Sequence, residues 1–440
     1  MKVNTVIIGG GISGLSTANF LSKKTSDFLI LESSNRVGGI INSLEVNGYI
    51  IENGPNTVLD NNIAIQELLT DLNIAKKLIY PNLKKISNRY VLINDKLEKI
   101  PLTITEFLFT PILTIFSKIK IIFEVFVPRH IRDTDVESFI KRRFGKEFHD
   151  NLIVPFLTGI YADTTSKMSA KNTLKKMWEL EQEYGSILIG LIREKNNNSK
   201  AKIFTIDGGL SKITELLAKK FINEIKFNTK VSSIVKINGS YKITLNKGED
   251  IICKKIISTI PAYSLKDIVF SQKLKDVLSN VNYNPIDVFH FGFDRKTSKI
   301  KVNGFGLLTK PEDEKSFLGI LFSSNIFEHI SDKSKFLITV LAGGDRQKNL
   351  CNKNPKLFEK QILNEILPLL KLESQPEFKN HFRWSKGIPS YSINIGRLQK
   401  EIEFFEENNK GFYITGNYHL GVSVSDCIKN SMELIETKFK

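Results

Sequence analysis

Val3-Asn4-Thr5-Val6-Ile7-Ile8-Gly9-Gly10-Gly11-Ile12-Ser13-Gly14-Leu15, with Leu29-Ile30-Leu31-Glu32 a short way beyond, decides the fold of this chain. The first run is β-branched and apolar on both faces, the pattern of a central strand in a parallel sheet. Gly9, Gly11 and Gly14 follow in G-x-G-x-x-G spacing. The first glycine permits a tight turn, the second lets backbone approach a pyrophosphate, and the third lets a helix pack close to the strand. A helix opening at Ile12 and Ser13 and running to about Lys23 would aim its free N–H groups and positive dipole end at the phosphates. Phe28 to Leu31 reads as the next strand. It delivers Glu32, with Ser33 beside it, where a carboxylate can accept from the hydroxyls of an adenosine ribose. A strand before the glycines, a helix after them and an acid at the second strand's end favour a dinucleotide-binding unit over a simple glycine turn.

The next residues, Arg36-Val37-Gly38-Gly39, add a second glycine pair and a cation able to close over the same pyrophosphate. With the glycine loop and Glu32, this block resembles the dinucleotide signature of FAD enzymes of the amine oxidase and porphyrinogen oxidase superfamily. An ordinary NAD dehydrogenase matches less well. Ile40 to Ile51 reads as strand, Asn-Gly turn and strand. It runs into Glu52-Asn53-Gly54-Pro55-Asn56, a polar loop that in this superfamily lies against the flavin.

The 440 residues allow two or three domains, and 41% hydrophobic with 25% charged residues is an ordinary globular composition. Lys and Arg total 63 against 47 acids, a net charge of +16. The basic residues are mostly lysines spread along the chain, without the arginine–aromatic clusters of a nucleic-acid reader. A solvated surface is the first reading of that charge and contact with a membrane the second. Cys253, Cys351 and Cys427 are too far apart for a metal or disulfide framework, which implies a reducing compartment. His290, His381 and His419 have no ligand spacing, so no metal is expected. Nothing precedes the first strand, and the expectation is a chain without signal or transit peptide.

Further along, Ile63 to Leu72 has helical periodicity, and Arg89–Ile93 with Lys96–Ile100 forms a hairpin around Asn94-Asp95. Phe107 to Val127 is the most apolar segment. Pro111, Ser117, Lys118, Lys120 and Glu124 interrupt it, so helices lying on a bilayer fit better than a spanning one. Pro155 to Asp163, with Ser166 to Ser169, reads as a tight glycine-bearing turn. Asn196 to Lys200 is a polar break, and Phe204 to Leu210 opens a new helix. Strands at Lys230–Ile237, Tyr241–Leu245 and Lys255–Pro261 resume the nucleotide-binding sheet. Strands then recur between residues 280 and 400, and a last strand and glycine turn lead into a helix from about Ser425.

Several blocks together resemble the protoporphyrinogen oxidase family: Gly54-Pro55-Asn56, Gly159-Ile160-Tyr161-Ala162 with Ser166-Lys167, and Asp207-Gly208-Gly209. Leu318 to Ser324, Gly343-Gly344, Trp384 with Ile388 to Tyr391, Gly416-Asn417-Tyr418 and Gly421-Val422-Ser423 complete the set, in family order over nearly the whole chain. The resemblance implies noncovalent FAD, since no flavin-linking cysteine motif is present. It implies an α/β architecture: a Rossmann-like FAD-binding domain, an inserted mixed-sheet substrate domain and a helical membrane-associating domain. The expected boundaries are 1–80, 201–262 and 406–440 for FAD, 81–104 and 263–405 for substrate, and 105–200 for the helices. The implied reaction takes hydride from a porphyrinogen to the flavin and electrons to dioxygen, giving peroxide. No side chain is assigned as a general base, because aromaticity of the product drives the chemistry.

For the cofactor the resemblance implies Gly9, Gly11, Ile12, Ser13, Gly14, Glu32, Ser33, Arg36, Gly38, Gly39, Gly54, Pro55, Asn56, Val231, Trp384, Gly416, Asn417, Gly421, Val422 and Ser423. For the substrate it implies Arg89 as propionate partner, Asn56 nearby, and Leu308, Leu321 and Leu341 around the macrocycle. Asp163 stands where the family has glycine, which leaves protoporphyrinogen and coproporphyrinogen both open. A cytoplasmic chain held peripherally on the inner membrane, working as a homodimer without nucleic acid, completes the expectation. The rivals are a flavin amine oxidase, with Tyr418 and His419 as its nearest aromatic pair, a carotenoid or sterol desaturase, and a flavin-binding protein without catalysis. Taken singly, Arg89 is an ordinary surface cation, the leucines are core residues and Trp384 a sheet filler.

Overall fold

A computed structural model describes residues 1–194, 202–246 and 248–439, and the polar break at 196–200 lies outside them. Two large sheets organise the chain. In the first, seven-stranded, Lys2–Ile8 is central, flanked in parallel by Phe28–Leu31 and Asp250–Ser258. Ile225–Lys226 and Phe412–Ile414 extend the parallel part, while Ser240–Leu245 and Val231–Ile237 close one edge antiparallel. Val6, Ile7, Ile30, Ile256 and Ile257 are buried, as strands covered on both faces require. One layer over this sheet is the Ile12–Leu21 helix with the Ser211–Lys220 and Val424–Lys438 helices. The opposite layer holds the Ala262–Ile268, Gln272–Ser279 and Ile395–Asn408 helices.

The second sheet, also seven-stranded, runs Phe378–Pro389, Tyr283–Asp294, Lys335–Gly343, Gly319–Leu321, Gly306–Leu308, Arg89–Ile93 and Lys96–Lys99. Only Gly306–Leu308 with Arg89–Ile93 pairs in parallel. One face packs on the Pro355–Leu369 helix through Phe289, Phe291, Ile338, Val340 and Phe358. The other face turns towards the first sheet and the inserted helices.

Those helices include Ile104–Phe109, Ile115–Ile122 and Val136–Phe144. Beneath them Arg143, fully buried, donates to Glu124 (Nη1, 2.7 Å) and to Glu181 (Nε, 3.0 Å). Ser186 and the N–H of Ile187 also donate to Glu124, so the buried charges are paired and solvated by the chain itself. Outside, Phe109 is 82% exposed, Phe116 81% and Phe126 77%. No helix among the described residues is long and apolar enough to cross a membrane.

Several local readings change. Pro155 to Asp163 is no turn: Val154–Tyr161 is a helix continuous with Lys146–Phe148 through the π turn His149–Ile153, and that wider turn stands just before Pro155, which lacks an N–H to donate. Ala162 ends it with a left-handed φ of 50°. Phe204 belongs to the strand Lys202–Ile206, held between Val58–Asp60 and Leu78–Ile79, and the helix waits until Ser211. The buried strand stops at Ser258, and Pro261 caps the following helix. The strand Phe378–Pro389 was not read from the sequence, since its polar residues hide the alternation.

Candidate functional site

The glycine loop sits where the first sheet meets its helical layer. Gly9 leaves the strand with φ +110°, and a Cβ there would lie 2.7 Å from Thr259 Oγ1. A Cβ on Gly14 would come within 1.9 Å of the Gly9 carbonyl oxygen, so helix and strand touch only through hydrogen. Gly11 differs. Its Cβ would meet nothing nearer than Gly39 Cα at 3.9 Å, and Gly11 bridges to Gly38. The two glycine segments therefore pack directly on each other, and their bare backbone walls a slot of the cleft at the helix start. The Ile12–Leu21 helix opens onto that slot with no side-chain cap and no acid in its first turn. Uncapped N–H groups at a helix start in a backbone-walled slot are what a pyrophosphate needs.

Away from the slot a cleft of about 770 Å³ continues past Glu32, Ser33, Thr229, Val231, Ser232 and Asn246 on one side. Glu32 is fixed at its strand end. Its carboxylate accepts from Gly10 N (2.7 Å), Ser34 N (2.8 Å) and Ser34 Oγ (2.7 Å). Arg36 points elsewhere. Nη2 donates to the Gly39 carbonyl (2.7 Å) and Nη1 to those of Val37 (3.1 Å) and Ile41 (3.2 Å). The guanidinium braces the glycine pair rather than lining the cleft.

The C-terminal turn closes the other wall. Gly416 and Gly421 both have positive φ, and Asn417 and Val422 line the cleft. Tyr391 ties this turn, its hydroxyl donating to the Asn417 carbonyl (2.9 Å) and accepting from Gly421 N (2.7 Å). Ser423 caps the following helix through Asp426. Cys427 lines the cleft, but burial pushes its thiol up to about 11, so it offers no thiolate. Glycine-walled slot, ribose-level carboxylate and cleft volume together fit a dinucleotide.

The loop from Glu52 to Asn56 links this cleft to the second sheet. Gly54 is walled in, since a Cβ there would meet the Ile40 carbonyl oxygen at 1.9 Å, while Pro55 lines the cleft. Trp384 Nε1 donates to the Asn53 carbonyl (2.6 Å) and Asn380 Nδ2 to Asn53 Oδ1 (3.3 Å). The Glu52 carbonyl lies 3.2 Å from His290 Nε2, and burial holds that imidazole down to about 4, hence neutral. The Glu52 carboxyl is pushed up to about 7 by burial, against donors from Ser43 and Leu210 N.

Register places the apolar candidates on the sheet face that turns towards this loop. Leu308, Gly319 and Leu341 are direct cross-strand neighbours, as are Gly306, Leu321 and Thr339 in the next row. Arg89 is the parallel partner of Gly306, so it stands at the end of Leu321's row. Leu341 packs with Ala162, Ile286, Val288, Trp384 and Ile388. From the helical side Gly159 meets Leu308, whose Cδ2 is 2.8 Å from where a Cβ would stand. The exposed Arg89 guanidinium lies 5.1 Å from the centroid of the Phe305 ring. Asn56 joins Leu321, Glu52 and His329 around a separate small cavity of about 30 Å³. Asp163 is buried, accepting from Thr164 N (2.9 Å) and from Ser390 Oγ.

Sequence reasoning missed part of the cleft wall. Ile260, Pro261, Tyr263 and Ser264 follow the first sheet's strand, and Lys386 comes from the second sheet. The first group carried a signal, a proline and a helix start after a buried strand. Lys386 carried only its closeness to Trp384.

A family profile described as flavin containing amine oxidoreductase matches residues 12–432. Protoporphyrinogen oxidase 2, chloroplastic/mitochondrial, of Arabidopsis thaliana is 27% identical, over 96% of this chain and 91% of its own length. Coproporphyrinogen III oxidase of Bacillus subtilis (strain 168) is 24% identical, over 97% of this chain and 96% of its own. A crystal structure of an Exiguobacterium sp. 255-15 protein superposes with a TM-score of 0.85 at 21% identity, covering 99% of this chain and 98% of that one. At that identity it speaks for the fold alone.

Proposed function

The chain belongs to the flavin containing amine oxidoreductases, and on that premise we propose that it oxidises a porphyrinogen, protoporphyrinogen IX to protoporphyrin IX in haem biosynthesis. The glycine-walled cleft would hold FAD noncovalently, and FAD would supply the hydride acceptor, with dioxygen as final oxidant and hydrogen peroxide as its product. The observation that carries this reading is the aliphatic patch of Leu308, Leu321 and Leu341 over two adjacent rows of one sheet face, with Arg89 at the end of Leu321's row and the cleft loop docked beside it. An apolar slot suits a flat macrocycle. A guanidinium at its rim suits a propionate, which it can grip with two parallel N–H donors.

The chain's own residues bind, orient and exclude water. Leu308 and Leu341 flank Gly319, whose missing side chain leaves room for Leu308, Cδ2 of which lies 3.0 Å from where a Cβ would stand. Neutral His290 holds the Glu52–Asn56 loop against that sheet, and Gly159 lets the overlying helix press on Leu308. The cofactor roles of the glycine loop, Glu32, Val231, Asn417 and Val422 rest on their places around the cleft. Those of Arg36 and Trp384 are indirect, through the carbonyls they brace. The segments 1–80, 201–262 and 406–440 are read as the FAD domain, 81–104 and 263–405 as the substrate domain, and 105–200 as a helical domain.

That helical domain is read as peripherally membrane-bound, on a cytoplasmic face of the inner membrane. Support comes from the exposed Phe109, Phe116 and Phe126 beside the exposed Lys120, whereas Lys118 is buried and donates to the Leu108 and Thr110 carbonyls. Flotation with anionic vesicles at low salt tests it, and protein left at the bottom of the gradient would reduce these side chains to surface residues. A second substrate, coproporphyrinogen III, is favoured by the Bacillus subtilis relative. The amine oxidase alternative fares worse, because Tyr418 is 0% exposed and packs into the first sheet's core rather than onto the cleft. The deciding assay gives purified protein both porphyrinogens with and without oxygen, and follows porphyrin fluorescence and peroxide. Absence of oxygen-dependent porphyrin from either would refute the proposal.

A further inference from the structure

A dinucleotide brings two phosphate charges, and the slot walled by Gly11 and Gly39 meets them with main chain alone. Arg36, the cation beside that slot in sequence, is occupied by three carbonyls. Among the described residues that line the cleft the only cations are Lys230 and Lys386, and neither makes an ion pair. Lys230 belongs to the ribose end, since its neighbour Thr229 donates its N–H to the Glu32 carbonyl (2.8 Å).

Lys386 stands at the other end. Its Nζ is 4.3 Å from the centroid of the Tyr263 ring, within cation–π range. Tyr263 is itself steadied edge-on against Tyr283, 4.9 Å between centroids, and the Tyr283 hydroxyl accepts from Ala262 N (3.0 Å). Tyr263 follows Ile260, whose Cγ2 lies 3.0 Å from where a Cβ on Gly9 would be. The cleft wall thus runs from the glycine turn past Ile260 and Pro261 to Tyr263 and the lysine. Asp267, one helical turn beyond Tyr263, lines the same wall without pairing to it.

We propose that Lys386, reaching from the second sheet across the cleft, is the side-chain cation for the FAD pyrophosphate and so latches the two sheets together around the cofactor. It rests on the flavin reading of the cleft and not on which porphyrinogen is oxidised. The ammonium rests on the Tyr263 ring. To serve the pyrophosphate it would swing from that ring to a phosphate oxygen on its four-carbon stem.

The test compares the parent with Lys386→Ala and Lys386→Arg, reading FAD dissociation by the rise in flavin fluorescence, over a range of salt. Because Lys386 is exposed, both variants should fold, and melting curves check it. Lys386→Ala should weaken FAD roughly ten- to thirtyfold, the loss of one charge-assisted contact, and flatten the salt dependence. Lys386→Arg should stay within about threefold of the parent. ADP, which carries the pyrophosphate without the flavin, is then used to displace FAD. If the lysine serves the pyrophosphate, ADP and FAD weaken in parallel. Unchanged FAD affinity in Lys386→Ala overturns the proposal. Weakened FAD with undiminished ADP affinity also overturns it, placing the lysine at the flavin ring. A parent protein without flavin would instead refute the cleft assignment itself.

Discussion

Gly11→Ala and Gly14→Ala change residues three apart by one methyl, and the structure predicts opposite consequences. At Gly14 the new Cβ would stand 1.9 Å from the Gly9 carbonyl oxygen and 2.9 Å from Thr259 Oγ1. An ordinary carbon–oxygen contact is above 3 Å, and the obstacle is backbone, so the whole Ile12–Leu21 helix must retreat. Overpacking of this kind costs about 3 kcal/mol, the upper part of its usual range. At roughly 2–4 °C per kcal/mol the melting temperature should fall by about 6–12 °C, with or without added FAD. At Gly11 the methyl meets nothing within 3.8 Å, and its φ of −75° suits any residue. The folded protein should be as stable as the parent or gain a few tenths of a kcal/mol, because alanine restricts the unfolded chain. The same methyl stands in the slot and pushes a phosphate off the helix N–H groups. Losing even one or two charge-assisted hydrogen bonds costs about 3 kcal/mol, roughly a hundredfold in affinity. Flavin absorbance per protein and melting curves with and without excess FAD separate the two. The expectation is a stable, flavin-poor Gly11→Ala and an unstable Gly14→Ala. A Gly11→Ala protein with full flavin content would refute the slot as the pyrophosphate site.

Three further outcomes follow from named contacts. Arg89→Ala should raise the Michaelis constant for a porphyrinogen roughly ten- to hundredfold, with a smaller change in turnover and parental flavin content, as loss of a uniform binding contact does; steady-state kinetics at parental values would make Arg89 a surface cation. Arg143→Ala leaves Glu124 buried without its cation and Glu181 with Arg142 alone, and should cost about 3–5 kcal/mol in denaturant unfolding; a loss under 1 kcal/mol would contradict the burial. Glu52, raised to about 7, favours the folded state most below its unfolded value of 4.5, and that contribution is lost as pH rises to 7. His290 and His419, both held near 4, act oppositely, costing stability as pH falls from 6.5. Glu52→Gln should remove the first effect and leave stability rising more steeply with pH between about 4.5 and 6.5, by on the order of 3 kcal/mol at most. A parallel pH profile in parent and variant would show that Glu52 does not titrate there.

The sequence alone determined what depends on neighbouring residues. Gly9 and Gly14 are dictated by a turn and a helix–strand approach that no side chain permits, and Glu32 by the end of an adjacent strand. The hairpins at Asn47-Gly48 and Asn94-Asp95 are equally local, each needing left-handed backbone at its turn. The family resemblance added the roles of Arg89 and the three leucines, but their common face is a product of register between strands far apart in sequence. Tertiary structure alone decided where Arg36 spends its donors and that Pro155 lies within a helix. It also brought Lys386 from the second sheet onto Tyr263 of the first. The physical reason is range: backbone conformation and alternation are set within a few residues, whereas a side chain's partner is set by whichever distant strand the fold lays beside it.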